Sequence, residues 1–176
     1  ASLYQLTKFN VEGRHFHEAD RFRREHLALA RTYGSDTLQL ALAFNSMGSM
    51  YSRIERPDSE EYCYREGLRM LGERKHLVRQ ALLGNLASTL SARGAHMEAA
   101  QLHEQVLTQL DGTDLHNRAW TMSNIGRSLM YAGRFPEALA AFETGDSLNA
   151  ASGNALDLAI DLAELRSECL EAMGDP

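Results

Sequence analysis

Side chains able to do covalent or metal chemistry are present in this chain but scattered. Of the seven histidines, His15 and His17 stand two apart, which on a helix turns them to different sides. His96 and His103 lie two helical turns apart, too far to share one metal ion, so no metal ligand set is expected. No Walker loop, Gly-x-Gly-x-x-Gly, His-Glu-x-x-His or Cys-x-x-Cys occurs. Glu60-Glu61 reads as a solvated face and not as an acid–base pair. The sequence therefore predicts no enzyme and no cofactor. The chemistry that does recur is hydrogen bonding from small polar groups: one position carries Ser46, Asn85 and Asn124 in turn. A carboxamide there can donate to, and accept from, a single peptide unit.

Those residues sit inside a longer echo. Asn45-Ser46-Met47-Gly48-Ser49-Met50-Tyr51 is answered by Asn85-Leu86-Ala87-Ser88-Thr89-Leu90 and by Asn124-Ile125-Gly126-Arg127-Ser128-Leu129. Met47, Leu86 and Ile125 are spaced by 39 residues, as are Gly94 and Gly133. A fixed period of this size means stacked supersecondary units that bury their apolar faces against one another. Gly94 and Gly133 suit the left-handed residue that stops a helix, and Pro136 suits the first turn of the next. Glu98 and Glu137 fall early in their helices, where they complement the macrodipole. Asp111-Gly112-Thr113-Asp114 reads as a turn with a cap, Gly34-Ser35-Asp36 as a stop and a cap, and Asp58 or Ser59 as a further cap.

The unit resembles the tetratricopeptide repeat, a helix-turn-helix. Met122, Ile125-Gly126, Leu129, Gly133, Phe135, Ala138 and Phe142 match its pattern. Leu83, Leu86-Ala87, Leu90, Gly94, His96, Ala99 and His103 match it one unit earlier. Phe44, Met47-Gly48, Tyr51 and Tyr64 also match, but Glu55 stands where the stop glycine belongs and Glu60 where a small alanine belongs. The turn of that unit is left open. Small residues at Gly48, Ala87 and Gly126 are expected to let the paired helices approach closely. The period exceeds the ~34 residues of the short form. The resemblance is therefore to the long repeats of Rap-like regulators, maltose-regulon-activator-like proteins, kinesin light chains and bacterial sensor regions.

This resemblance implies an all-α fold, a right-handed superhelical stack of antiparallel helix pairs with about nine helices. The units would span about 3–34, 36–73, 75–111 and 114–152, with a half unit at 154–175, in one domain over 1–176. Because that half unit stops where a second helix should begin, and Ala1-Ser2 opens without an initiating Met, a fragment of a longer protein is expected.

It also implies a site. The first helix of each such unit lines a concave groove, which points to Asn45, Ser46, Ser49 and Arg53, then Asn85 and Ser88. Trp120, Ser123, Asn124, Arg127 and Tyr131 follow in the next such helix. Trp120 is assigned either to the groove or to the core. Arg53 and Arg127 are candidates to receive a carboxylate, although serines replace the basic residues of the family's carboxylate clamps. The function implied is a protein- or peptide-binding scaffold in the regulatory region of a larger bacterial signalling or transcription protein. The alternative is self-association through an exposed stack end, for which Leu162 and Leu165 are the apolar candidates. In a stack capped by its last helix, Asp157, Asp161, Glu164, Glu168 and Glu171 would form the polar outer face.

Composition supports a folded chain: 44% of residues are hydrophobic and 24% charged, with a net charge of −6. Residues 1–93 hold 14 basic and 11 acidic residues, whereas residues 94–176 hold 4 and 13. A modest basic strip at Arg21, Arg23, Arg24 and Arg31 falls short of a nucleic-acid face. No apolar run reaches the ~18 residues of a membrane span. Two free thiols, Cys63 and Cys169, are expected as packing residues, consistent with a cytoplasmic setting.

Overall fold

The computed structural model describes residues 37–174 together with Arg21, Arg24, Glu25 and Ala28. The rest of the expected first unit, including the Gly34-Ser35-Asp36 stop, lies outside the described residues. Among the described residues there are seven long helices and no strand. They are α1 (Thr37–Arg53), α2 (Pro57–Leu71), α3 (Leu77–Ala92), α4 (His96–Gln109), α5 (Leu115–Tyr131), α6 (Phe135–Ser152) and α7 (Leu156–Met173). The chain divides into two compact units, residues 1–89 and 90–176, with the division inside α3.

One turn geometry recurs. The Arg56 N–H donates to the Tyr51 carbonyl at 3.0 Å, Ala95 to Leu90 at 2.9 Å and Arg134 to Leu129 at 2.8 Å. Each bond closes six residues around one left-handed residue: Glu55 at φ 54°, Gly94 at 82° and Gly133 at 75°. The turn left open by the sequence thus keeps the geometry of its neighbours, with a glutamate holding the backbone angle that glycine adopts more readily. Pro57 then opens α2 with Arg56 as the residue before it and no side-chain cap. This corrects the expected Asp58 or Ser59 cap. A proline's missing N–H costs nothing in a first turn, so the helix starts earlier. Asp114 does cap α5, accepting from the Asn117 N–H at 3.3 Å, while Asp111 accepts from the Thr113 N–H at 2.8 Å.

In the first unit, α1 and α2 pair so closely at Gly48 that any Cβ there would collide with the Tyr64 ring. Around this contact Leu40, Phe44, Met47, Met50 and Cys63 form the core. One turn along α2, a Cβ at Gly67 would lie 2.8 Å from Leu82 Cδ2 of α3 and 3.3 Å from Phe44 Cβ of α1. Glu60, at the position expected to be a small alanine, is half-buried and accepts a hydrogen bond from Thr89 Oγ1 at 2.9 Å.

The second unit repeats the device. Gly126 on α5 faces the Phe142 ring of α6 with no room for a Cβ, and Ala138 is completely buried beside it. Phe142, Leu158, Leu162, Leu165 and Cys169 belong to one core. Leu162 and Leu165, expected to be exposed, are therefore buried, at 0% and 6% exposure. Leu162 is seated on Gly145 of α6, which lets the row Leu158, Leu162, Leu165 and Cys169 turn inward. The exposed large apolar residues of α7 are instead Leu156, Ile160 and Met173. Asn149 ties the loop between α6 and α7. Its Nδ2 donates to the Ala155 carbonyl and its Oδ1 accepts from the Ala155 N–H, both at 3.0 Å.

Two substitutions test this packing. Glu55→Gly relieves the left-handed glutamate and is expected to stabilise the fold by about 1 kcal/mol in urea titrations. Ala138→Leu overpacks the α5–α6 contact and is expected to cost about 1–3 kcal/mol, with a lower melting temperature.

Candidate binding face

The expected groove residues fall into two sets, one on each compact unit. On the first unit, Asn85 Nδ2 of α3 donates to Asn45 Oδ1 of α1 at 3.0 Å. The interlock leaves the Asn45 amide hydrogens and the Asn85 amide oxygen able to bond a further group. The serines are turned back on their own helices: Ser46 donates to the Leu42 carbonyl at 3.0 Å, Ser49 to Asn45 at 3.2 Å and Ser88 to Gly84 at 3.1 Å. Their hydroxyls are left as acceptors more than donors. Arg53 is exposed at the end of α1 and makes no ion pair among the described residues.

On the second unit, Trp120, Ser123, Asn124, Arg127 and Tyr131 share one face of α5, spaced by helical turns. Their environments differ. Ser123 is completely buried and donates to Asp161 Oδ2 at 3.0 Å. Arg127 Nη2 donates to both oxygens of the same carboxylate, at 3.0 and 2.9 Å. Trp120 is half-buried and packs against the core cluster, so its ring serves the core. Asn124 is half-buried, and its amide makes no hydrogen bond among the described residues. Tyr131 is exposed, its ring 5.4 Å from that of His96.

Asp161 is the residue that sequence reasoning missed. Placed on a polar outer face by its neighbours on α7, it is half-buried and holds two residues of α5. The correction has a simple cause. Asp161 lies at the edge of the buried row of α7, next to Leu162, whereas Asp157, Glu164, Glu168 and Glu171 are exposed. A second tie, Arg166 to Asp146 at 2.8 Å, joins α7 to α6.

His103 lies buried on α4, at the position where the other repeats have Tyr64 and Phe142. Burial lowers its pKa to about 4, and the nearby Arg127 charge adds to that. Tyr64 is pushed up to about 12, chiefly by burial and against a hydrogen bond with Ser49. Neither cysteine is in a disulfide and both are buried, and burial raises the Cys169 thiol. Among the described residues, no group of three or more His, Cys, Asp or Glu side chains could hold a metal ion, and no helix is long and apolar enough to cross a membrane. The first unit also holds a cavity of about 450 Å³ lined by Arg24, Phe44, Met47, Tyr51, Tyr62 and Cys63, among others. It shares no residue with the expected groove set.

Comparison with known proteins fits this geometry. Residues 78–145 match the sequence profile of the tetratricopeptide repeat. No curated protein matches. Several solved structures share the fold. A putative kinesin light chain of Podosopora anserina with nearly identical tetratricopeptide-like repeats is 17% identical, with a TM-score of 0.76, covering 98% of this chain and 90% of that one. BtubC (BKLC) of P. vanneervenii is 19% identical with a TM-score of 0.74, covering 87% of this chain; this chain spans only 64% of its length. The N-terminal domain of stress-induced protein-1 from C. elegans is 16% identical with a TM-score of 0.60, covering 73% and 96%.

The buried His103 ring makes stability depend on pH. The fold holds the ring neutral down to about pH 4, whereas an unfolded chain protonates it near 6.5. Its contribution is therefore complete above pH 6.5 and is lost as pH falls towards 4, with a slope of at most about 1.4 kcal/mol per pH unit. His103→Phe is expected to narrow the gap between the urea midpoints at pH 7 and pH 5, relative to the unmodified protein. An equal gap in both proteins would show that the ring titrates freely.

Proposed function

We propose that this chain, which carries tetratricopeptide repeats over residues 78–145, is a non-catalytic scaffold that holds a protein or peptide partner. Tetratricopeptide folds are protein-interaction modules, and the all-helical hairpins described above are of that kind. The finer reading is a regulatory or sensor region of a larger bacterial signalling or transcription protein, working in the cytoplasm. Its support is the resemblance to long-repeat regulators.

The observation that carries the proposal is the uneven state of the α5 face. Ser123 and Arg127 are committed to Asp161, and Trp120 packs on the core. Asn124 is half-buried with an amide that makes no hydrogen bond among the described residues, and Tyr131 is exposed. The first offers both halves of a peptide hydrogen bond, and the second offers a large ring of a type common at binding hot spots. This face grips a backbone and one apolar side chain, and it does not depend on an acidic ligand, because the Arg127 guanidinium already has its carboxylate. The self-association reading rested on exposed Leu162 and Leu165 and loses that basis, since both are buried.

The test is capture of a partner from a peptide library displayed against the purified chain, followed by titration of the captured sequence. Asn124→Ala is expected to weaken binding by about 1–3 kcal/mol, and Tyr131→Ala by a similar amount, with unchanged circular dichroism. Full affinity in the Asn124→Ala/Tyr131→Ala double variant would remove this face as the site.

A further inference from the structure

The pair formed by Arg127 and Asp161 is within reach of solvent: the two side chains are 35% and 32% exposed. Asp161 spends both carboxylate oxygens inside the chain. They accept from Ser123 Oγ at 3.0 Å and from Arg127 Nη2 at 3.0 and 2.9 Å. Arg127 spends one nitrogen. Its Nε–H and Nη1–H groups make no hydrogen bond among the described residues, and neither atom is buried. The guanidinium charge is thus answered while most of its N–H donors stay available. Sequence spacing offered Arg127 as a receptor for a carboxylate, and the chain itself supplies that carboxylate.

Asn124 stands one turn earlier on α5, its amide likewise unbonded among the described residues and its polar atoms not buried. Helix positions three apart have Cβ atoms about 5–6 Å from each other. In an extended segment, carbonyls two residues apart point the same way and are spaced by about 6.6 Å. Asn124 and Arg127 therefore suit alternate carbonyls of one extended chain laid along α5, and Tyr131 follows one turn further on.

The surroundings of the pair disfavour a second carboxylate. Asp157, Glu164 and Glu168 are exposed and share one side of α7 with Asp161. Burial holds the His103 ring beside Arg127 neutral at neutral pH, so it brings no further positive charge. An acidic side chain arriving here would meet a cation already paired and a row of like charges.

We propose that Asp161 is the specificity-determining residue of this face. By holding the Arg127 charge it turns a carboxylate receptor into a donor to peptide carbonyls, so the face takes extended segments without acidic side chains and rejects acidic ones. This rests on the reading of the α5 face as the binding site and adds its charge preference.

The experiment uses two pools of short fluorescein-labelled peptides, alike except that one carries Glu wherever the other carries Gln. Each is titrated against the purified chain by anisotropy at low and high salt. The unmodified chain is expected to bind the Gln pool at least as tightly as the Glu pool. Asp161→Asn keeps an acceptor for Ser123 and frees the cation, so it should move the preference towards the Glu pool by about fivefold or more, and by less at high salt. In Asp161→Asn/Arg127→Gln that gain should vanish. Arg127→Lys keeps the charge opposite Asp161 and loses the planar donors, so it should weaken both pools by a similar factor, about threefold or more. A Glu preference in the unmodified chain, an unmoved ratio in a folded Asp161→Asn variant, or full binding of the Gln pool by Arg127→Lys would overturn the proposal. The Arg127→Lys arm decides alone if Asp161→Asn does not fold. Weaker binding of both pools by Asn124→Ala/Tyr131→Ala, together with an unmoved Asp161→Asn ratio, would keep the face and remove the role of Asp161. Full binding by Asn124→Ala/Tyr131→Ala, or no binding of either pool by any variant, would remove the face and the role together.

Discussion

Two helix pairs, α1 with α2 and α5 with α6, are each held by a ring laid on a residue that has no side chain. Tyr64 lies on Gly48 in the first unit and Phe142 lies on Gly126 in the second, and in both places a Cβ would have nowhere to go. Contact at that distance requires the two backbones to approach closely, so it fixes which face of the first helix is spent on its partner. On α5 the face spent is that of Ala119, Gly126 and Leu129, and Asn124, Arg127 and Tyr131 are directed elsewhere as a result. The open polar face follows from where the rings sit.

Charge pairing refines what packing begins. Asp161 draws Ser123 and Arg127 of α5 towards α7, and Arg166 reaches Asp146 of α6. These ties are partly exposed, and such pairs contribute little to stability. Their effect is on position: they remove a cation from the open face and leave it neutral. Four exposed acids, Asp157, Glu164, Glu168 and Glu171, stand on α7.

The helical hairpins were legible because their signals are local or periodic. Gly94 and Gly133 mark their own turns, and Gly48 and Gly126 recur in register with Tyr64 and Phe142. Glu55 shows the limit of reading residue types: the hydrogen bond from Arg56 to Tyr51 keeps the turn although the glycine is missing. The face was less legible. Asp161 lies 34 residues from Arg127, and nothing local in either segment announces the pair. Leu162 and Leu165 were misplaced for a related reason. α7 is rich in leucine on two sides, and only the seat offered by Gly145 decides which side turns inward.

A double-mutant cycle at Gly126 and Phe142 tests the central constraint most directly. Gly126→Ala alone should destabilise the chain by about 1–3 kcal/mol, because the added methyl meets the ring. In a Phe142→Leu background the same substitution should cost far less, giving a coupling above about 1 kcal/mol by urea denaturation. Additive effects of the two substitutions would contradict the account, because they would mean that the glycine and the ring do not meet.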